Sequence, residues 1–464
     1  MIKEKIVFVA AECAPFVKVG GLADVIGSLP KALKKIGANV SVVIPFYGAI
    51  KLKKDDLVLL KSKIAINFEG KEELFSLWKT KLPQSEVSLF LIDNKKFFEG
   101  NAYLENDASS GGSLQEARRF LFFSVAALKT TELIKGDIIH CHDWHSALIP
   151  FLLKKKKIKT LITIHNIAYQ GIFTAEVVNR LLKTKLTGTV NCLEKGIEKS
   201  NLITTVSPTY AKEILSPEFG FGLEKLLKKR KKDLFGIING LDYQQFGPAT
   251  DPYIKRKYSI ESLVGKAVNK EYLQKKCFQK ANPEVPIIGM VTRIAEQKGF
   301  DLIEKILPQM IKENLQFVIL GRGTEKYESF LKKIAKKNPQ KLSVTTRFDE
   351  KFAHQIYAGS DIFLMPSVFE PCGLGQMIAM KYGTVPIVRA IGGLKDTVRS
   401  VDKNKPTGFS FEEYSPKALW FEIKKALHLF KDKKRWLEIQ KNGMSENFSW
   451  EHSAQLYLDL YKKL

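Results

Sequence analysis

Two cations flank one turn of the sequence in a way that suits a diphosphate. The stretch Thr292-Arg293-Ile294-Ala295-Glu296-Gln297-Lys298-Gly299 follows an apolar run and precedes an amphipathic one, so Arg293 and Lys298 can approach a diphosphate from its two oxygen faces. Arginine is scarce, 11 of 74 basic residues, and a chain that otherwise uses lysine gains planar, permanent charge where it spends an arginine. A surface ion pair is the plainer alternative. A second constellation, Met365 to Gln376, also stands between an apolar run and a helical pattern. There Glu370 is placed to accept sugar hydroxyls while the peptide N–H groups of Cys372, Gly373 and Leu374 face a ligand; a helix-capping glutamate is the alternative. A third, Lys18-Val19-Gly20-Gly21, leads from a strand into a helix start, where free N–H groups and a positive dipole end suit phosphate and Lys18 adds a full charge. A tight turn alone would also explain Gly20 and Gly21.

Histidines form the remaining clusters. His140-Cys141-His142-Asp143-Trp144-His145 has the look of a metal nest, with His140 and His142 on one strand face. No second ligand group with metal spacing accompanies it, so no metal site is assigned, and Asp143 at the strand tip is the better functional residue. The next strand delivers His165-Asn166 and the Gly171 turn to the same edge, where His165 is read as meeting a ligand; a histidine satisfied within the core is the alternative.

Positioning these groups requires strands that all end on one side. Apolar runs bounded by turn residues predict strands at 5–11, 39–45, 87–92, 137–140, 159–164, 202–206 and 234–238, then at 286–291, 315–320, 342–346, 361–365 and 385–389. Helical periodicity marks 22–36, 145–153, 299–313, 325–337, 350–358 and 373–381. The alternation predicts an α/β protein of two doubly wound units with a cleft between them. The break falls where turn residues cluster, at Asn239-Gly240-Leu241-Asp242 and 247–252. Residues 52–80 read as an inserted hairpin and Asp107 to Ser113 as a Gly/Ser-rich loop.

A chain of 464 residues, 45% hydrophobic and 27% charged, is an ordinary soluble globular composition of two or three domains. The net charge of +25 comes mainly from lysine and is read as a solvated basic surface, without nucleic acid or membrane as partner. Five cysteines without a C-x-x-C pair fit a reducing cytoplasm. The apolar stretch Phe120 to Leu128 is about half of a membrane span, and the first residues lack the length of a signal segment.

Taken together, Lys18 to Asp24, His142 to His145, His165 to Gly171, Asn239 to Asp242, Gln297 to Gly299, Glu370 to Leu374 and Phe448-Ser449-Trp450 resemble the bacterial glycogen synthases and plant starch synthases over nearly the whole chain. The resemblance implies a GT-B architecture of two Rossmann-like domains, 1–242 on the acceptor side and 243–445 for the nucleotide sugar, with 446–464 carrying a C-terminal helix back to the first. It implies ADP-glucose as donor, glycogen or another α-1,4-glucan as acceptor, and no metal or other cofactor. Lys18, Gly20 and Gly21 would bind donor phosphate, Arg293 and Lys298 its diphosphate. Glu370, Asp143 and His165 would surround the transferred glucose with Asn239 and Cys372 nearby, and Phe348 would stack on adenine.

The resemblance also implies retention of configuration by front-face attack of the acceptor 4-hydroxyl, the leaving phosphate taking its proton. Val368, Gly375 and Phe348 depart from the common family residues and bear on donor-base preference. Sucrose- and trehalose-type relatives usually carry a second glutamate eight residues after the first, where this chain has Ile378. A UDP-glucose transferase and a catalytically inactive glucan-binding protein are the alternative readings.

Overall fold

The computed structural model describes residues 3–103, 113–154 and 157–464, so the expected Asp107–Ser113 loop lies outside the described residues up to position 112. The chain divides into two compact units, Met1–Gly240 with Trp450–Leu464, and Leu241–Ser449.

The first unit is built on a nine-stranded sheet. Its strands are β1 (Lys5–Val9), β2 (Asn39–Pro45), β3 (Val58–Phe68), β4 (Lys71–Lys81), β5 (Ser88–Asp93), β6 (Ile138–His142), β7 (Lys159–Ile164), β10 (Leu202–Thr205) and β11 (Leu234–Gly236); β8 (Ile172–Thr174) and β9 (Thr189–Asn191) form a separate two-stranded antiparallel sheet. The order across the sheet is β11-β10-β7-β6-β1-β2-β5-β4-β3. Only β3 and β4 run antiparallel to their neighbours, forming the hairpin expected at 52–80. β1, β2 and β6 are buried almost throughout, as strands covered on both faces must be. Because the chain leaves β1 toward β2 on one side and resumes at β6 on the other, the strand order reverses between β1 and β6. In such sheets ligands bind beyond the carboxyl ends of the strands at that reversal.

The helix Gly21–Lys35 follows β1, and the C-terminal helix Trp450–Tyr461 packs on it. Lys35 pairs with Glu451 at 3.2 Å, the Ser453 hydroxyl donates to the Ile238 carbonyl at 2.7 Å, and a Cβ at Gly240 would meet Trp450 Cα at 2.6 Å. The helix expected over 145–153 is two short turns, Trp144–Ala147 and Ile149–Leu152, because Pro150 has no N–H to continue the ladder.

The second unit holds a six-stranded, all-parallel sheet of β12 (Ile287–Val291), β13 (Gln316–Leu320), β14 (Leu342–Thr345), β15 (Ile362–Met365), β16 (Val385–Arg389) and β17 (Phe409–Phe411), ordered β14-β13-β12-β15-β16-β17. This is the doubly wound order, with its reversal between β12 and β15. The helices Phe300–Lys312, Glu325–Lys337, Glu350–Gly359 and Gly375–Lys381 follow their strands as the periodicity predicts. The segment after Gly240 is fixed to this unit through buried Asp251, which accepts from the Tyr382 hydroxyl and bonds His354 Nδ1 at 2.7 Å. Among the described residues no helix is long and apolar enough to cross a membrane.

Candidate active site

In the second unit the two loops singled out by sequence leave the two strands that flank the reversal, β12 and β15. The β12 loop makes a short 3₁₀ turn, Glu296–Lys298, closed by Gly299 at φ +80°. A side chain there would be strained and would strike the Pro366 carbonyl. That glycine lets the two loops touch: Val368 N donates to the Gln297 carbonyl at 2.9 Å. Lys298 Nζ lies 2.6 Å from Glu370 Oε2, both side chains mostly buried, and Ser367 Oγ donates to the same oxygen at 3.0 Å. Arg293 is exposed, with one guanidinium nitrogen 3.3 Å from the Gln297 side-chain oxygen.

The segment after Glu370 turns on Gly373 at φ +72°. The Gln376 side-chain amide donates to the carbonyls of Cys372 and Gly373 at 3.2 and 2.9 Å. Since C=O and N–H point oppositely across one peptide plane, this turns the N–H groups of Gly373 and Leu374 away from Gln376. Gly393 N donates to the Glu370 carbonyl, and a Cβ at Gly392 would lie 2.0 Å from that oxygen, so the turn carrying Glu370 is braced from below. Cys372 is buried and forms no disulfide among the described residues. Phe348, in the loop after β14, is 88% exposed.

In the first unit the reversal lies between β1 and β6, and the Lys18–Gly21 loop and Asp143 follow those strands. Lys18 Nζ bonds Asp24 at 2.6 Å. Gly20 and Gly21 both lack positive φ, and a Cβ on either would meet open space. Neither backbone conformation nor packing in this unit therefore requires glycine at these two positions. The sequence reading left the N–H groups of this loop free; the structure corrects that, because those of Val19 and Gly20 donate to buried Glu12.

Asp143 has φ +54° and is buried, its Oδ1 accepting from His165 N at 2.7 Å. Burial pushes its carboxyl up to about 7, against the pull of the His165 and Asn166 backbone N–H groups. Trp144 is buried beneath Gly171, whose Cβ would strike its ring. Asn239 is buried too, and its side-chain oxygen has no partner among the described residues.

The tempting histidine cluster is a core feature. His140 and His142 do share a face, 4.1 Å apart by ring centroids, but His140 is held between Tyr461 and Thr163, and His142 Nδ1 lies 3.0 Å from His165 Nε2. Burial drives His140 and His142 well below the ordinary range, and His145 and His165 down to about 3. Their folded values lie below the unfolded one, so the stability they confer is complete above about pH 6.5 and is lost as pH falls toward 3. Asp143, raised instead, acts in the opposite sense as pH falls from 7. Four buried histidines shifted one way outweigh one carboxyl shifted the other. The melting temperature of the protein is accordingly expected to fall between about pH 7 and pH 5; an unchanged value over that interval would contradict the neutral cluster.

Sequence reasoning passed over Glu12, Ser367, Gln297, Gln376 and Tyr103. Ser367, Gln297 and Gln376 lie within quoted motifs and Glu12 just after the first predicted strand, whereas Tyr103 stands outside all of them; the fold shows which oxygen or N–H each one meets.

The chain is similar to known proteins over nearly its whole length. Residues 5–229 match the starch synthase catalytic domain and 274–443 the glycosyl transferases group 1. The chain is 43% identical to a glycogen synthase of Geotalea uraniireducens, covering 99% of this chain and 98% of that one. It is 41% identical to a glycogen synthase of Bacillus cereus, over 99% of each. It is similar in structure to the catalytic domain of starch synthase IV from Arabidopsis thaliana bound to ADP and acarbose, with a TM-score of 0.89 and 33% identity over 99% of both chains. A sucrose-phosphate synthase from Thermosynechococcus elongatus shares the fold alone, at a TM-score of 0.64 and 17% identity over 99% of both chains.

Two Rossmann-like units, each with its polar loops at a strand-order reversal, define a GT-B glycosyltransferase. Full-length identity above 40% narrows the class, and the chain belongs to the glycogen and starch synthase family, which elongates glucans by glycosyl transfer.

Proposed function

We propose that this chain transfers glucose from ADP-glucose to the non-reducing 4-hydroxyl of an α-1,4-glucan with retention of configuration, elongating glycogen in the cytoplasm. The observation that carries this reading is the joining of Lys298 to Glu370 on the two loops at the β12/β15 reversal, with Arg293 on the same turn. Breaking the anomeric bond leaves positive charge on the sugar and negative charge on the diphosphate. Arg293 and Lys298 stabilise the departing anion, and fixed cations already in place cost no reorganisation during reaction. They take the part a metal ion plays elsewhere, and no cofactor is proposed.

Lys18 and the Gly20-Gly21 turn, through the Gly21 N–H that Glu12 leaves open, take donor phosphate, and Phe348 offers its open ring to the adenine. Glu370, Asp143 and His165 surround the glucose, with Asn239, Cys372 and the N–H groups of Gly373 and Leu374 beside it. The acceptor hydroxyl attacks from the side of the leaving phosphate, which takes its proton, so Asp143 and Glu370 are not a glycosidase pair. ADP as the donor nucleotide is supported by the starch synthase IV domain, solved with ADP and acarbose.

Incubation with glycogen and labelled ADP-glucose or UDP-glucose tests the reading. Label is expected in polymer from ADP-glucose at least about tenfold faster, a nucleobase preference of about 1.4 kcal/mol. Equal rates would favour a donor-tolerant transferase, and no label from either would favour a glucan-binding protein.

A further inference from the structure

We propose that Glu12 is a positioning residue that sets the Lys18–Gly21 loop for the donor's phosphate before the donor arrives. This rests on the reading of that loop given above. Glu12 follows β1 and is 4% exposed. One carboxylate oxygen, Oε2, accepts from Val19 N at 2.7 Å and Gly20 N at 2.9 Å; the other, Oε1, accepts from the Tyr103 hydroxyl at 2.7 Å. Tyr103 is held in turn, because the buried Arg119 guanidinium donates to the carbonyls of Phe97, Glu99, Asn101 and Ala102 in the segment leading to it.

This arrangement spends two of the loop's N–H groups on the protein. Among the described residues the N–H groups of Gly21 and Leu22 have no hydrogen-bond partner, and with Lys18 they are the donors left to an anion at the start of the helix Gly21–Lys35. A flexible Gly-Gly segment would otherwise lose conformational freedom on binding, and the buried carboxylate removes that cost in advance. An anion this close to a bound phosphate would repel it, so the carboxylate serves by geometry, which an uncharged acceptor of the same shape can reproduce.

The test compares Glu12→Ala, Glu12→Gln, Tyr103→Phe and Lys18→Ala, using ADP titration calorimetry and initial rates with ADP-glucose and glycogen. For Glu12→Ala the expected result is a rise of about tenfold to 10² in both the ADP dissociation constant and the ADP-glucose KM, with the glycogen KM unmoved. Glu12→Gln recovers most of the loss, because its amide oxygen still accepts the two N–H groups and its NH₂ reaches the tyrosine oxygen. Tyr103→Phe, which keeps the backbone contacts, shifts the same two constants by about threefold, and it decides the matter with Glu12→Gln should the alanine variant not fold. Donor constants unchanged in Glu12→Ala while Lys18→Ala weakens ADP would overturn the positioning role and leave the loop reading intact. So would a Glu12→Gln variant as impaired as the alanine one, since charge and not shape would then matter. ADP binding unaffected by Lys18→Ala would instead remove the loop reading, and this proposal with it.

Discussion

Glu370→Ala is expected to lower kcat by about 10² to 10³ while ADP binds as tightly as in the unaltered protein or more tightly. In the structure Glu370 Oε2 is taken by Lys298 and Ser367, whereas its Oε1 takes no hydrogen bond among the described residues. The carboxylate is thus oriented by the protein and has one oxygen to offer a sugar hydroxyl. Removing it costs the contact made as the sugar becomes cationic. It also releases Lys298 from its only ion pair among the described residues, leaving a full cation for the diphosphate. Kinetics and binding therefore separate: turnover falls and nucleotide affinity does not. Calorimetry showing ADP binding abolished would reassign Glu370 to the nucleotide. Glu370→Gln is the more conservative companion, retaining an oxygen for Ser367 and Lys298, and its loss should be the smaller.

The sequence was most readable where one physical signal decides the structure. Apolar runs covered on both faces located the parallel strands within a residue or two, as at β2 and β7, whose bounds coincide with the expected 39–45 and 159–164. Readability did not follow length alone: β8, β9 and β17 have three residues each, too few for a period, and were not read, yet the equally short β11 falls within the expected 234–238, while the 20-residue helix Leu114–Leu133 was missed. The site was legible as residue types at strand tips, but not as contacts. That Lys298 pairs with Glu370 depends on β12 and β15 being neighbours although β13 and β14 lie between them in sequence. That Glu12 rather than a ligand takes the Val19 and Gly20 N–H groups depends on how the loop folds back over the strand end. The histidine cluster shows the converse, since a face shared by His140 and His142 was visible in the period of two, but its direction into the core was not.

Lys298→Ala is expected to lower kcat by about 10² to 10³, about 2.7 to 4 kcal/mol of transition-state stabilisation, because one of the cations facing the departing diphosphate is lost. The same substitution leaves the Glu370 carboxylate, only 10% exposed as a side chain, without its counter-charge. Breaking a buried pair from one side costs about 3 to 5 kcal/mol of stability, so a slow variant on its own would not separate chemistry from folding. The double variant Lys298→Met with Glu370→Gln does separate them. It removes both charges at similar volume, a change that is often neutral for stability. If the pair existed for the fold alone, the double variant would regain melting temperature and turnover together. The expected result is recovery of the melting temperature with kcat still depressed at least as far as in either single variant, and weakened ADP binding wherever Lys298 is absent. A double variant within about twofold of the unaltered kcat would leave Arg293 as the sole cation needed and remove Lys298 from the proposed mechanism.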